Sequence, residues 1–476
     1  MKKKVISVLL ASAMVATVFT GCGGNTSTGS TGTDTSTSTD AGSTDAGSTD
    51  AGTTDAGSTD TATAAPAAEG SVLNIHCWNE EFKSRLTDHY PGYEAVDATT
   101  GKIGDVTVKW DITPSDDNAY QNKLDEDLLA QESAAADDKI DLFLVEADYA
   151  LKYVDTDYTM SVTDLGLTAS DLGNQYKYTQ DIVTDSNGVL KGVSWQGCPG
   201  ILFYNRDIAL EVLGTEDPAD VQAYVSDWAT FNDTAAKMVE NGYKMTATVN
   251  DSYRVYSNNV TSKWVENGVI NIDPNIVAWV NDSKALVDEG ATGTAELWSD
   301  DWSKGFYGDV FCYFGPAWLI NFCMADGEEG SVATNGRWGG TVGPQGFYWG
   351  GTWICGATGT DNPTLVGDIM KTMTCDAAVL KEIVEKDDDF ANNTVAMAEM
   401  AASDYSSRIL GGQNPLQMYM DGAASIDLSN ISAYDQGCNE EFQGAMKDYF
   451  EGNATYDDAV EKFYTAILEK YPALSR

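Results

Sequence analysis

Histidine is nearly missing: His76 and His89 are the only two among 476 residues. A histidine-based metal centre or a Ser-His hydrolase therefore lacks its usual groups, and no G-x-S-x-G motif occurs. Cysteine is sparse as well, eight in all, widely spaced and with no C-x-x-C pair. Such a set supplies neither a disulfide framework nor a zinc site. Cys77, Cys198, Cys312, Cys323, Cys355, Cys375 and Cys438 sit mostly in apolar runs and read as small core residues. Base is scarce: 28 Lys and Arg stand against 73 Asp and Glu, a formal charge of −45. Nucleic-acid binding needs clustered Lys and Arg and is disfavoured by this sign. An anionic ligand would need local help from helix N-termini.

What is present begins with an export signal. Lys2-Lys3-Lys4 is a basic start, and Val5–Phe19 is an apolar run too short to span a membrane, which takes about 20 residues. Phe19-Thr20-Gly21-Cys22 then resembles the bacterial lipobox, with Phe19 in place of the usual Leu. That resemblance implies a signal peptide over 1–21 and diacylglycerol, with palmitate, on Cys22. Residues 22–69 form a Gly/Ser/Thr/Asp-rich tail in which AGSTD recurs from Ala41, Ala46 and Ala56. It has nothing apolar to bury and reads as a disordered tether holding a folded body off the membrane. Between residues 23 and 69 there are seven acids and no base, so most of the negative charge belongs to the body.

That body, Gly70–Arg476, is too long for one ordinary core and suits two lobes. Ser71–Trp78 reads as a buried first strand, ending at Asn79-Glu80-Glu81 where a helix begins. Val106–Asp111 alternates as a second strand. Tyr120, Leu124, Leu128 and Leu129 then recur at helical spacing, and Ile140–Val145 is a third strand. Strand–helix–strand–helix–strand is the mark of a parallel α/β lobe. Ligands in such sheets sit beyond the carboxyl ends of strands. Those ends are Trp78-Asn79-Glu80, Asp116-Asp117-Asn118, and Glu146 to Asp148. Gly192–Arg206 is an extended segment leading into a helix, and Asp227-Trp228 opens another.

Phe311–Trp353 holds four of the twelve tryptophans, Trp318, Trp338, Trp349 and Trp353, set among glycines. Glycine lets backbone approach closely, and tryptophan offers a rigid apolar face with one donor. Together they suggest a shaped pocket for a flat, partly apolar ligand.

These landmarks, in this order, resemble the extracellular solute-binding proteins of ABC importers, in the sugar-type, maltose-binding-protein-like group (family 1). Trp78-Asn79-Glu80, the acidic strand at Asp141-Leu142, Tyr204-Asn205, Asn241-Gly242-Tyr243, Gly315-Pro316-Ala317-Trp318 and Gly350-Gly351-Thr352 carry the resemblance. It covers essentially all of Gly70–Arg476. It implies an α/β, two-lobe, periplasmic-binding-protein-like (type II) fold with a hinge and an interlobe cleft. Lobe one would take 70–197 and 336–375, and lobe two 198–335 and 376–476. The crossovers would fall near Gln196–Gly200 and Gly336–Gly340, where glycine suits a hinge. The helical end, Glu440–Tyr471, reads as packing.

Carbohydrates present C–H faces to aromatic rings and hydroxyls to carboxylates and amides. The resemblance implies cleft positions for Trp78, Glu80, Glu146, Asp148, Trp195, Gln196, Trp318 and Trp353, and Asn79, Asp116, Tyr253 and Trp349 complete the expected ligand-binding set. Trp228, Trp264 and Trp279 read as core, Trp338 as hinge or core, and Trp298 and Trp302 fit either place. No catalytic residue, metal or cofactor is assigned. The resemblance implies a monomeric, lipid-anchored receptor on the extracellular face of a bacterial cytoplasmic membrane. It would pass a carbohydrate, such as an oligosaccharide, to the membrane subunits of a permease. Two alternatives stay open. Tryptophan with Asp and Glu also suits a cationic solute such as a polyamine. Asn79-Glu80 after a strand also matches the acid of barrel glycoside hydrolases, although the chain lacks eight evenly spaced βα units.

Overall fold

Leu73, Ile75 and Cys77 are fully buried along β1 (Val72–Cys77), the strand around which the first sheet is laid. The computed structural model describes residues 69–324 and 329–476. The signal segment, Cys22 and nearly all of the tether lie outside them. β1 pairs in parallel with β4 (Val106–Ile112) on one side and β5 (Leu142–Glu146) on the other. β5 is buried on both faces, as a parallel strand covered on both sides must be. The helix Glu81–His89 sets Phe82 and Leu86 in the core on one face of this sheet. The helix Ala119–Ala130 sets Tyr120, Leu124 and Leu128 in the core on the other. An antiparallel hairpin that the sequence pattern does not announce, β2 (Tyr93–Ala95) and β3 (Thr100–Ile103), extends the sheet beyond β4.

The second sheet is built on β6 (Pro199–Asn205), buried at every residue. Before it, Val193 bridges to Ile354, and Trp195–Gly197 exchanges backbone hydrogen bonds with Phe390–Asn392. After a small hairpin of β7 (Val265–Glu266) and β8 (Val269–Ile270), three strands pair antiparallel with β6. They are β9 (Cys312–Gly315), β10 (Trp338–Thr341) and β11 (Phe347–Tyr348). The chain then returns through Trp349–Gly351 to β12 (Thr352–Gly356), which lies antiparallel to β5. Both sheets are open, in the order β12-β5-β1-β4-β3-β2 for the first.

Two expected boundaries move. Residues 338–341 pair with β6, so the returning crossover lies at Trp349–Gly351 and not at Gly336–Gly340. Trp338 is core, fully buried in β10 against Phe306 and Tyr313. The helix Ala377–Asp387 stays with the first sheet rather than the second. Its Asp387 holds Arg85 at 2.9 Å and His89 at 3.0 Å, both on Glu81–His89. A further passage between the sheets follows at Phe390–Asn392. Beyond it, the C-terminal helices Asp435–Phe450 and Tyr456–Lys470 bury Phe442, Met446, Phe450, Phe463 and Ile467 around Trp264 and Trp279.

Candidate ligand-binding site

The carboxyl ends of β1, β4 and β5 open onto a cavity of about 730 Å³, the position parallel-sheet topology favours. From β1 come Trp78 and Asn79. The Asn79 side chain accepts from the Glu81 amide at 3.0 Å, which fixes the turn into the next helix. Trp78 stands edge-on to Tyr120 and Tyr149, with ring centroids 5.6 and 6.3 Å away. From beyond β4 come Ser115, Asn118 and Gln121. Asn118 adopts a left-handed backbone (φ 61°), which asparagine tolerates better than most residues. From β5 come Glu146, Asp148 and Tyr149.

The facing wall comes from elements around the second sheet. Arg254, on the short helix Tyr253–Ser257, holds Asp148 with both guanidinium nitrogens. Gln436 and Glu440, one turn apart on Asp435–Phe450, complete this side, and Gln436 Nε2 donates to Asn118 Oδ1 at 3.1 Å. Trp298, Trp318 and Trp349 form an aromatic cluster with centroids 5.2 to 6.0 Å apart. Trp318 Nε1 donates to the Trp349 carbonyl at 3.2 Å. Gly350 (φ 69°) lies against the Trp318 ring, where a Cβ would meet Cζ2 at 3.4 Å. Phe322, half exposed on a π-helical turn, closes this side.

The floor is a buried polar network. Gln196 Nε2 donates to Glu81 Oε1 at 2.7 Å and to Asp389 Oδ2 at 3.1 Å, linking the first helix to two passages between the sheets. Burial pushes the Glu81 carboxyl up to about 7, against the pull of Arg85. Burial, with the Asp148 carboxylate alongside, pushes Glu146 up to about 8.

Of the twelve expected residues, Trp78, Asn79, Glu146, Asp148, Gln196, Trp318 and Trp349 line the cavity. Five do not. Glu80 is exposed and pairs with Lys83 at 2.9 Å, which also removes the support for a glycosidase acid at this position. Asp116 is exposed beside Ser115, which does line the cavity. Trp195 stacks on Phe82 in the core, 5.4 Å between centroids. Tyr253 is buried and donates to Asn439 at 2.6 Å. Trp353 is buried and donates to the Thr179 carbonyl at 2.8 Å. Among the lining residues the sequence reading omits are Glu81, Tyr149, Arg254, Gln436 and Glu440. Trp298 lines the cavity, exposed by 55%, whereas Trp302 is core.

Elsewhere His76, Asp111 and Asp127 bring possible metal-ligand atoms within 4.8 Å of one another. Lys123 occupies the group, 2.9 Å from Asp111 and 2.5 Å from Asp127, and supplies the positive charge the carboxylates need.

The family model for bacterial extracellular solute-binding proteins matches residues 94–388. No curated protein matches the chain at a significant level. Several solved structures share the fold. A protein described as an extracellular solute-binding protein of family 1 is 17% identical, TM-score 0.67, with 84% of this chain and 100% of that one covered. The ABC-transporter-associated binding protein of B. animalis subsp. lactis, in complex with β-1,6-galactobiose, is 17% identical, TM-score 0.64, covering 85% and 98%. The galacto-N-biose/lacto-N-biose I-binding protein of a Bifidobacterium longum ABC transporter, in complex with lacto-N-biose, is 13% identical, TM-score 0.62, covering 86% and 100%.

Proposed function

The chain belongs to the bacterial extracellular solute-binding proteins, a family of binding proteins rather than enzymes, and we propose that its solute is a carbohydrate. The observation that carries this reading is the cavity between the two sheets. Trp78 and the Trp298–Trp318–Trp349 cluster line it together with carboxylates and amides. Flat apolar faces interleaved with hydrogen-bonding groups match a ligand with C–H faces and rings of hydroxyls. The sugars bound by the two Bifidobacterium proteins support the same class.

Capture would work by closure. A ligand touching both walls stabilises the closed arrangement in proportion to its extra contacts there, and a permease reads that state. Three or four aromatic faces with a few polar contacts suit affinities near micromolar, about −8 kcal/mol. In this reading the chain works as a monomer, Cys22 carries the lipid, and residues 23–69 let the body reach the membrane subunits of an ABC importer. Replacing Cys22 by Ala should release the protein into the medium.

Tryptophan fluorescence against a glycan panel tests the ligand class directly. Saturable quenching or enhancement by one group of saccharides, with no product formed on prolonged incubation, is the expected result. A complete lack of response across mono- and oligosaccharides would remove the carbohydrate reading.

A further inference from the structure

The wall of the cavity contains polar groups that nothing among the described residues serves. The Tyr149 hydroxyl and Gln121 Oε1 are buried and make no hydrogen bond, although both residues line the cavity. These side chains are not loose surface groups, for the residues are only 7% and 4% exposed. On the same side Glu146 accepts one side-chain hydrogen bond, from the Asp148 amide at 2.7 Å. The cation acting on Glu146 is Arg254, and Asp148 already holds that guanidinium by both nitrogens. The other wall acid, Glu440, is provided for by Gln436 at 3.0 Å and Lys470 at 3.3 Å.

What this stretch lacks is positive charge and partners for its free acceptors. Glu146 carries lone pairs with one bond to fill them, Gln121 Oε1 is an acceptor only, and Tyr149 Oη can accept as well as donate. A neutral sugar hydroxyl could satisfy one such acceptor. It brings no charge, however, so Glu146, whose carboxyl burial and the neighbouring Asp148 push up to about 8, would stay protonated near neutral pH, whereas a cation beside it would let it ionise and pair. An ammonium supplies three donors and the missing charge at once. Trp78, edge-on to Tyr149, adds an aromatic wall of the kind that favours a cation.

We propose that the solute carries an ammonium group and that Glu146, Gln121 and Tyr149 form the subsite that receives it. This rests on the cavity being the solute site, and it narrows the carbohydrate class to amino sugars. A linear polyamine is the other source of the same chemistry.

Matched pairs separate the possibilities on the wild-type protein. Calorimetry would compare glucosamine, galactosamine and the β-1,4-linked glucosamine disaccharide with glucose, galactose and cellobiose, and with the N-acetylated forms. Spermidine is the polyamine arm. At least one amino sugar should bind about tenfold or more tighter than both its hydroxyl and its N-acetyl counterpart. Glu146→Gln should abolish that preference. Binding of spermidine alone would uphold the ammonium subsite and overturn the carbohydrate reading. Equal or tighter binding of the neutral sugars would overturn the subsite and leave the carbohydrate reading standing. Absence of any ammonium-bearing binder at millimolar concentration would also overturn it.

Discussion

Asp148 and Arg254 meet across the cavity as a two-pronged ion pair, one Nη–Oδ contact measuring 2.7 Å, although they belong to opposite walls. Asp148 follows β5 of the first sheet, and Arg254 sits on a helix packed over β11 of the second. With side chains 18% and 17% exposed, both charges are largely desolvated, so the pair acts as a clasp between the lobes. Removing one partner of such a pair costs about 2–5 kcal/mol, part of which is the charge left behind. Arg254→Gln should therefore shift the ligand-free protein toward an open arrangement, visible as a larger radius of gyration in solution scattering. An unchanged radius would mean that the clasp does not govern closure.

Two tryptophans should behave in opposite ways. Trp195 is fully buried against Phe82, and truncating it removes a large core side chain, which costs about 3–5 kcal/mol. Trp318 is half-buried, lines the cavity, and has only one hydrogen bond to lose, to the Trp349 carbonyl. Trp318→Ala should weaken ligand binding about tenfold or more with a small fall in melting temperature. Trp195→Ala should lower the melting temperature sharply. If Trp318→Ala collapses the melting temperature as well, its role is packing.

These contrasts show what sequence reading can reach. The strands β1, β4 and β5 and their helices are legible because apolar runs and 3.6-residue spacing are local signals. The segments lining the cavity are legible too, yet five chosen residues miss it by a single position. Trp195 stands next to lining Gln196, Trp353 next to Thr352, and Tyr253 next to Arg254; Glu80 and Asp116 adjoin Glu81 and Ser115. One residue turns a strand side chain to the opposite face and a helical one by about 100°. Which face looks into a cleft is fixed by packing between distant segments, and no local pattern records it. The Asn118–Gln436 bond is of that kind, joining residues 318 positions apart. The β2–β3 hairpin escapes for another reason, since three- and four-residue strands are too short to show periodicity.

Trp298 holds a left-handed backbone (φ 70°) that bulky side chains rarely adopt. Its ring touches Trp302, Trp318 and Trp349, so the strain is maintained by the aromatic cluster at the cavity. Glycine adopts this conformation freely. Trp298→Gly should therefore lose ligand affinity while the melting temperature holds or rises, the conformational relief of about 1 kcal/mol or more offsetting the lost ring contacts. A sharp drop in melting temperature would show instead that the ring chiefly supports the fold.

Stability should be greatest on the acid side of neutrality. Burial raises Glu81 and Asp251 to about 7 and Asp141 and Asp435 to about 6. Asp251 illustrates the cause: it accepts from Trp302 Nε1 at 2.7 Å and the Thr248 amide at 2.9 Å, but among the described residues no cation offsets its burial. Between the ordinary carboxylate range and these raised values the folded chain binds more protons than the unfolded one. Stability is thus fully present near the ordinary carboxylate value and falls as pH climbs through the folded values. Burial lowers His76, which works in the opposite sense below its ordinary 6.5, but it is one group against these four and Glu146, raised to about 8. The depressed carboxylates, such as Asp171 at about 2, matter only in stronger acid. The melting temperature should therefore be higher at about pH 5 than at about pH 8, and Glu81→Gln with Asp251→Asn should narrow the gap. A melting temperature that rises across this interval would mean that Glu81 and Asp251 ionise in the folded chain as readily as in the unfolded one.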